Sequence, residues 1–123
     1  MKFVIPGELP DLNQIISASK SHYGTYSKMK KKHTELVAWH ALNLPSIEFA
    51  DIEVHWYCKN KRKDKDNIRA GLKFILDGLV QANVLQNDGW KRVGNLSDQF
   101  YVDKNNPRIE VKLWPTQKSK NNT

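Results

Sequence analysis

The segment Lys59 to Val80, KNKRKDKDNIRAGLKFILDGLV, sets two carboxylates, Asp64 and Asp66, among the cations Lys59, Lys61, Arg62, Lys63 and Lys65. A third acid, Asp88, comes later in the turn signal QNDGW. If the chain runs extended through the pair, residues two apart point to one side, so Asp64 and Asp66 can share a cation. A helix running back across a sheet would return Asp88 to the same end. Three carboxylates so placed repel by about 1 kcal/mol per pair even in water, and more when partly desolvated, so the cluster needs a compensating charge. All-oxygen ligation selects Mg2+, with Mn2+ as a substitute, over zinc. Phosphodiester hydrolysis is the chemistry this suits, because the ion generates hydroxide and neutralises charge in the transition state. Lys73, two helical turns after Asp66 and opposite an apolar stripe, is the candidate for added electrostatic stabilisation.

The plain alternative is a solvated turn whose second acid, Asp66, caps a helix, and the D-x-D-N spacing fits it equally. An EF-hand is excluded: a loop starting at Asp64 needs Gly at its sixth position and Glu at its twelfth, where this chain has Arg69 and Ile75. A nuclear-localisation reading of KNKRK explains neither acid. His22, His33, His40 and Cys58 lack ligand spacing, and His33 and His40 fall on an apolar helix face as core or boundary residues. Asp77 is placed to pair with Lys73 or Arg69. Trp39, Trp56, Trp90 and Trp114 are assigned to core or dimer surface ahead of base stacking.

The chain has 123 residues, enough for one core. Lys plus Arg number 20 against 13 for Asp plus Glu, and the resulting net charge of +7 predicts a polyanionic partner, with nucleic acid foremost. The positives interleave with aromatic and polar residues, which weakens a membrane-surface reading. A single cysteine, Cys58, excludes an intrachain disulfide framework and a multi-cysteine zinc site, and suits a reducing cytoplasm. MKFVIPGELP lacks the apolar core of a signal peptide. No run approaches the roughly 18 apolar residues of a membrane span.

These residues need elements to position them. Phe3 to Ile5 read as a strand closed by Pro6-Gly7. Residues 8 to 25 read as an irregular, mobile arm near the ligand. From Ser27 a helical pattern runs through Met29, His33, Leu36, Val37, His40, Ala41 and Leu44, with Lys28, Lys30, Lys31 and Lys32 in its first turn and Pro45 at its end. Ile52, Val54 and Trp56 alternate with Glu53, His55 and Tyr57 as a half-buried strand. After Asp66 a second helix carries Ile68, Leu72, Ile75, Leu76 and Leu79, and stops near Asn83, which tolerates a left-handed cap. Beyond it come a strand region over 90–103 and a last strand through Ile109, Val111 and Leu113. The expectation is an α+β fold: one domain over residues 1–114, a mixed sheet of about four strands with two helices on it, and a polar tail over 115–123.

KRKDKDNIRAGLKFILDGLVQANVLQNDGWKRV, Lys61 to Val93, resembles the signature of the RusA-like Holliday junction resolvases, small endodeoxyribonucleases of phages and prophages. FVIPGELPDLNQII resembles that family's start and NPRIEVKLW its closing strand, so the resemblance covers nearly the whole chain. It implies a homodimeric Mg2+-dependent nuclease, with no small-molecule cofactor, that nicks four-way junction DNA symmetrically in a bacterial cytoplasm. By position, Asp64, Asp66 and Asp88 match the metal-binding acids. In one branch of the family the catalytic lysine comes four residues after the second acid, where this chain has Ala70. A three-residue insertion after Asn67 brings Lys73 to that role, with Arg69 as the fallback. Lys30, Lys31, Lys32, Lys59, Lys61, Arg62, Lys63, Lys65 and Arg69 then serve as phosphate contacts. Two rivals stay open: a non-catalytic nucleic-acid-binding module, and a nuclease acting mainly on other branched DNA.

Overall fold

The computed structural model describes residues 1–116. The elements in chain order are β1 (Lys2–Pro6), α1 (Leu12–Lys20), α2 (Thr25–His40), β2 (Ala50–Cys58), α3 (Lys65–Arg69), α4 (Leu72–Gln81), β3 (Val93–Val102) and β4 (Arg108–Pro115). The strands form one mixed sheet in the order β1-β4-β2-β3. β4 is antiparallel to β1 and β2, while β3 runs parallel to β2. The expected α+β architecture is the one the chain adopts.

Alternation along the strands makes one sheet face apolar. Phe3 and Ile5 of β1, Ile52, Val54 and Trp56 of β2, and Ile109, Val111 and Leu113 of β4 are buried. Val37 of α2 and Phe74, Ile75 and Leu79 of α4 complete the same core. Burying each such side chain contributes about 1.5–3 kcal/mol. The opposite face is polar and its charges pair with one another: Glu110 accepts from Lys2 at 2.9 Å and from Arg108 at 2.8 Å. Bonds from Lys2 and Arg108 hold the Glu110 carboxyl below its ordinary range.

Two expectations are corrected. Residues 8 to 25 are not an irregular arm, because Leu12–Lys20 form α1. Its start is a capping box in which the Asp11 side chain accepts from the Gln14 N–H at 2.8 Å and the Gln14 side chain accepts from the Asp11 N–H at 2.9 Å. The helix after the acid pair is not continuous: α3 and α4 meet at Ala70-Gly71. A Cβ on Gly71 would sit 3.1 Å from Leu9 Cβ and 3.3 Å from the Trp56 ring, so glycine lets the chain pass close to the core at this junction. Of the four tryptophans only Trp56 is core, whereas Trp39, Trp90 and Trp114 are exposed. Asn83 does take the left-handed conformation, with φ 61°. β4 extends through Pro115, one residue into the segment assigned to the tail, and residues 117–123 lie outside the described residues.

α2 and α4 approach closely because Gly78 faces Val37. A Cβ there would lie 2.4 Å from Val37 Cγ1. Gly78→Ala should therefore lower the unfolding free energy by about 1–3 kcal/mol through overpacking, as read by urea denaturation. Adding Val37→Ala should recover part of the loss, and full additivity of the two losses would contradict the contact.

Candidate functional site

Parallel pairing of β2 with β3 brings their final residues side by side, with Cys58 opposite Val102. The loop after β2 therefore stands beside the end of β3. Asp64 is the N-cap residue of α3, extended at φ −70° and ψ 154°, and makes no side-chain cap bond. Asp66 lies in the first helical turn and its Oδ1 accepts from the Asn67 N–H at 2.9 Å. The strand does not persist through the acids, and Asp64 rather than Asp66 takes the cap, because β2 ends at Cys58. Both acids nonetheless line one cleft of about 880 Å³, together with Asn60, Lys61, Lys65, Phe100 and Tyr101. Asp64 and Asp66 are exposed, and among the described residues neither has an ion-pair partner, despite the cations on either side.

Three contacts fix this loop. Lys63 Nζ reaches Asp11 Oδ2 at 2.8 Å, and Asp11 is only 5% exposed. The Asn67 side-chain oxygen accepts from the Asn13 N–H at 3.1 Å, satisfying one of the free donors at the start of α1. On the other side Asp98 of β3 accepts from Trp56 Nε1 at 2.8 Å and from Arg69 Nε at 2.5 Å, which ties α3 to the sheet. Asp11, Asn67 and Asp98 were not singled out as site residues by the sequence. Two signals were present: Asp11-x-x-Gln14 has capping-box spacing, and Asp98 shares the period-two face of Phe100, where an acid needs a partner.

The third acid arrives by a reversal of the chain. After α4 the N–H groups of Val84 and Leu85 both bond the Leu79 carbonyl, and the chain runs back beside the helix. Asp88 then lies 4.0 Å from Lys73 Nζ, which also meets Asp77 at 3.3 Å. Asp77 also faces Lys30 at 3.9 Å, and its Oδ2 is buried without a hydrogen-bond partner among the described residues. Lys73 thus stands between Asp77 and Asp88. Among the described residues no set of three His, Cys, Asp or Glu side chains is gathered as a metal site. Asp64 and Asp66 line one cleft, and Asp88 lies against Lys73.

The expected phosphate contacts divide in two. Lys63 is bound to Asp11, Arg69 to Asp98 and Lys30 to Asp77, while Lys65 lies 5.7 Å over the Phe100 ring. Lys31, Lys32, Lys59, Lys61 and Arg62 are exposed without ion-pair partners among the described residues. His33 packs against Phe74, and burial, aided by Lys32, pushes its pKa down, as a boundary histidine requires. Cys58 is a buried free thiol whose pKa burial raises.

Neither a scan against protein-family models nor a search of curated proteins finds a match to this sequence. No helix among the described residues is long and apolar enough to cross a membrane.

The Asp11–Lys63 pair has a pH signature. Burial alone would raise the Asp11 carboxyl, but the Lys63 bond and the N–H groups of Gln14 and Asn13 outweigh it and hold the pKa below the ordinary 3.8. A depressed folded value means that the stabilisation is complete above 3.8 and is lost as pH falls through the depressed value. Lys63, raised chiefly by its bond to Asp11, loses its share only as pH rises beyond the ordinary 10.5. Asp11→Asn should therefore cost about 1–3 kcal/mol at neutral pH and flatten the acid limb of the stability profile. Denaturation across that range reads both effects.

Proposed function

We propose that this chain is a Mg2+-dependent, structure-selective endodeoxyribonuclease that resolves four-way DNA junctions, as its resemblance to the RusA-like resolvases implies. The observation that carries the reading is the cleft after β2, where two exposed carboxylates, without ion-pair partners among the described residues, sit among lysines and aromatic rings. An oxygen-only, solvent-facing donor pair fits a hard divalent cation. Asp64 and Asp66 would hold it, with Asp88 as the third acid of the family pattern. Such an ion supplies activation of water and neutralisation of charge at the scissile phosphate.

The chain's own residues do the rest. Lys73, held between Asp77 and Asp88, presents an ammonium to stabilise charge developing on the phosphate. Arg69 is the weaker candidate because its guanidinium is committed to Asp98. Lys31, Lys32, Lys59, Lys61 and Arg62 contact backbone phosphates, which positions the duplex arms without reading sequence. A junction has an approximate two-fold axis and needs two opposed cuts, so a homodimer with two equal sites is the matching assembly. The bacterial cytoplasm is the compartment this reading implies.

The wild type should nick a mobile four-way junction in Mg2+ and stop when the ion is chelated. Asp64→Asn, Asp66→Asn and Asp88→Asn should each lower the rate by more than about 100-fold while junction affinity stays within about two-fold. Cutting of flaps or nicked duplexes in preference to junctions would move the activity to other branched DNA. The place of Asp64 at the N-cap of α3 and the bond from the Asn67 N–H to Asp66 favour one second reading, in which the acids shape a turn of a module that binds branched nucleic acid without cutting it. That reading expects no Mg2+-dependent nicking, with Lys61→Ala reducing affinity and the salt slope together.

A further inference from the structure

Trp90 is 90% exposed, more than any other tryptophan of the chain. It does not owe this to a slack loop. The Asn87 side chain accepts from the Gly89 N–H at 2.9 Å, and the Gly89 carbonyl accepts from the N–H groups of Arg92 and Val93, each at 3.0 Å. Arg92 also donates to the Gln86 side chain and to the Glu48 carbonyl. The turn is braced on both sides of an indole that rests on nothing. The bracing bonds hold the ring in water, and stacking against a partner would bury a large aromatic surface.

The neighbours say what kind of partner. Asp88, two residues earlier, lies against Lys73 in the candidate site. Lys91, the next residue, is exposed without an ion-pair partner among the described residues. An aromatic face next to a free ammonium matches a nucleotide, whose base stacks while its phosphate meets the cation. We propose that Trp90 stacks on an unpaired or unstacked base where the strands of branched DNA part, and so favours branched over linear DNA. Bases inside an intact duplex have both faces covered by their neighbours and cannot take this contact. Every base has a π face, so the contact selects structure with little regard for sequence. The inference rests on the nuclease reading for its substrate.

Trp90→Ala should weaken binding to a four-way junction by about 10- to 100-fold, leave affinity for linear duplex unchanged, and preserve the circular-dichroism spectrum and melting temperature. Trp90→Phe should retain most of the junction affinity. With 2-aminopurine at the branch point, wild type and Trp90→Phe should quench its fluorescence and Trp90→Ala should not. Equal losses on junction and linear DNA, unchanged junction affinity, or a change in oligomeric state alone would each overturn the role. The two readings fail separately. A wild type that binds junctions but never cuts them in Mg2+ removes the nuclease, and the stacking is still read by binding. A Trp90→Ala variant that cuts and binds like wild type removes the stacking and leaves the nuclease.

Discussion

Parallel pairing of β2 with β3 is the constraint on which the rest of the molecule depends. Two parallel neighbours cannot be joined by a hairpin, so the chain has to cross the sheet face through α3 and α4 before β3 begins. Apolar burial favours that crossing, since Phe74, Ile75 and Leu79 cover the inward residues of the strands. One consequence is the cleft. The segment leaving β2 and the end of β3 must lie at one end of the sheet, and the acid pair lies on that segment.

The same crossing sets where the third acid falls. A helix spanning the sheet carries the chain to the far end, and only the reversal at Leu79 to Leu85 brings Asp88 back as far as Lys73. Lys73 there offsets two carboxylates that would otherwise repel one another. Its ion pairs are half exposed, so they add little to stability and serve mainly to set where the charges stand.

Local pattern made much of this legible. The strict alternation of Ile52, Val54 and Trp56, and of Ile109, Val111 and Leu113, fixes the sheet and its buried face. Asn83 was readable as a helix stop because it tolerates the backbone it adopts. The features that escaped were long-range or weakly patterned. α1 is polar along most of its length and reads as loop unless Asp11 and Gln14 are taken as a cap. The close approach of Leu9 and Trp56 to Gly71 is a contact that no spacing within the helix encodes. Nor can the sequence reveal that Asp98, Asp11 and Asp77 take up Arg69, Lys63 and Lys30, leaving a smaller set of unpaired cations than the composition suggests.

The bonds from α1 to the loop after β2 also bear on motion. Asn13 and Asn67, Asp11 and Lys63 join two segments about fifty residues apart in the chain. Neither can fray without exposing the other's polar groups, so the two open to solvent as one cooperative unit. Disorder in the N-terminal helix is thereby transmitted to the carboxylates, and a ligand that stiffens the carboxylates would protect the amides of a helix it never touches.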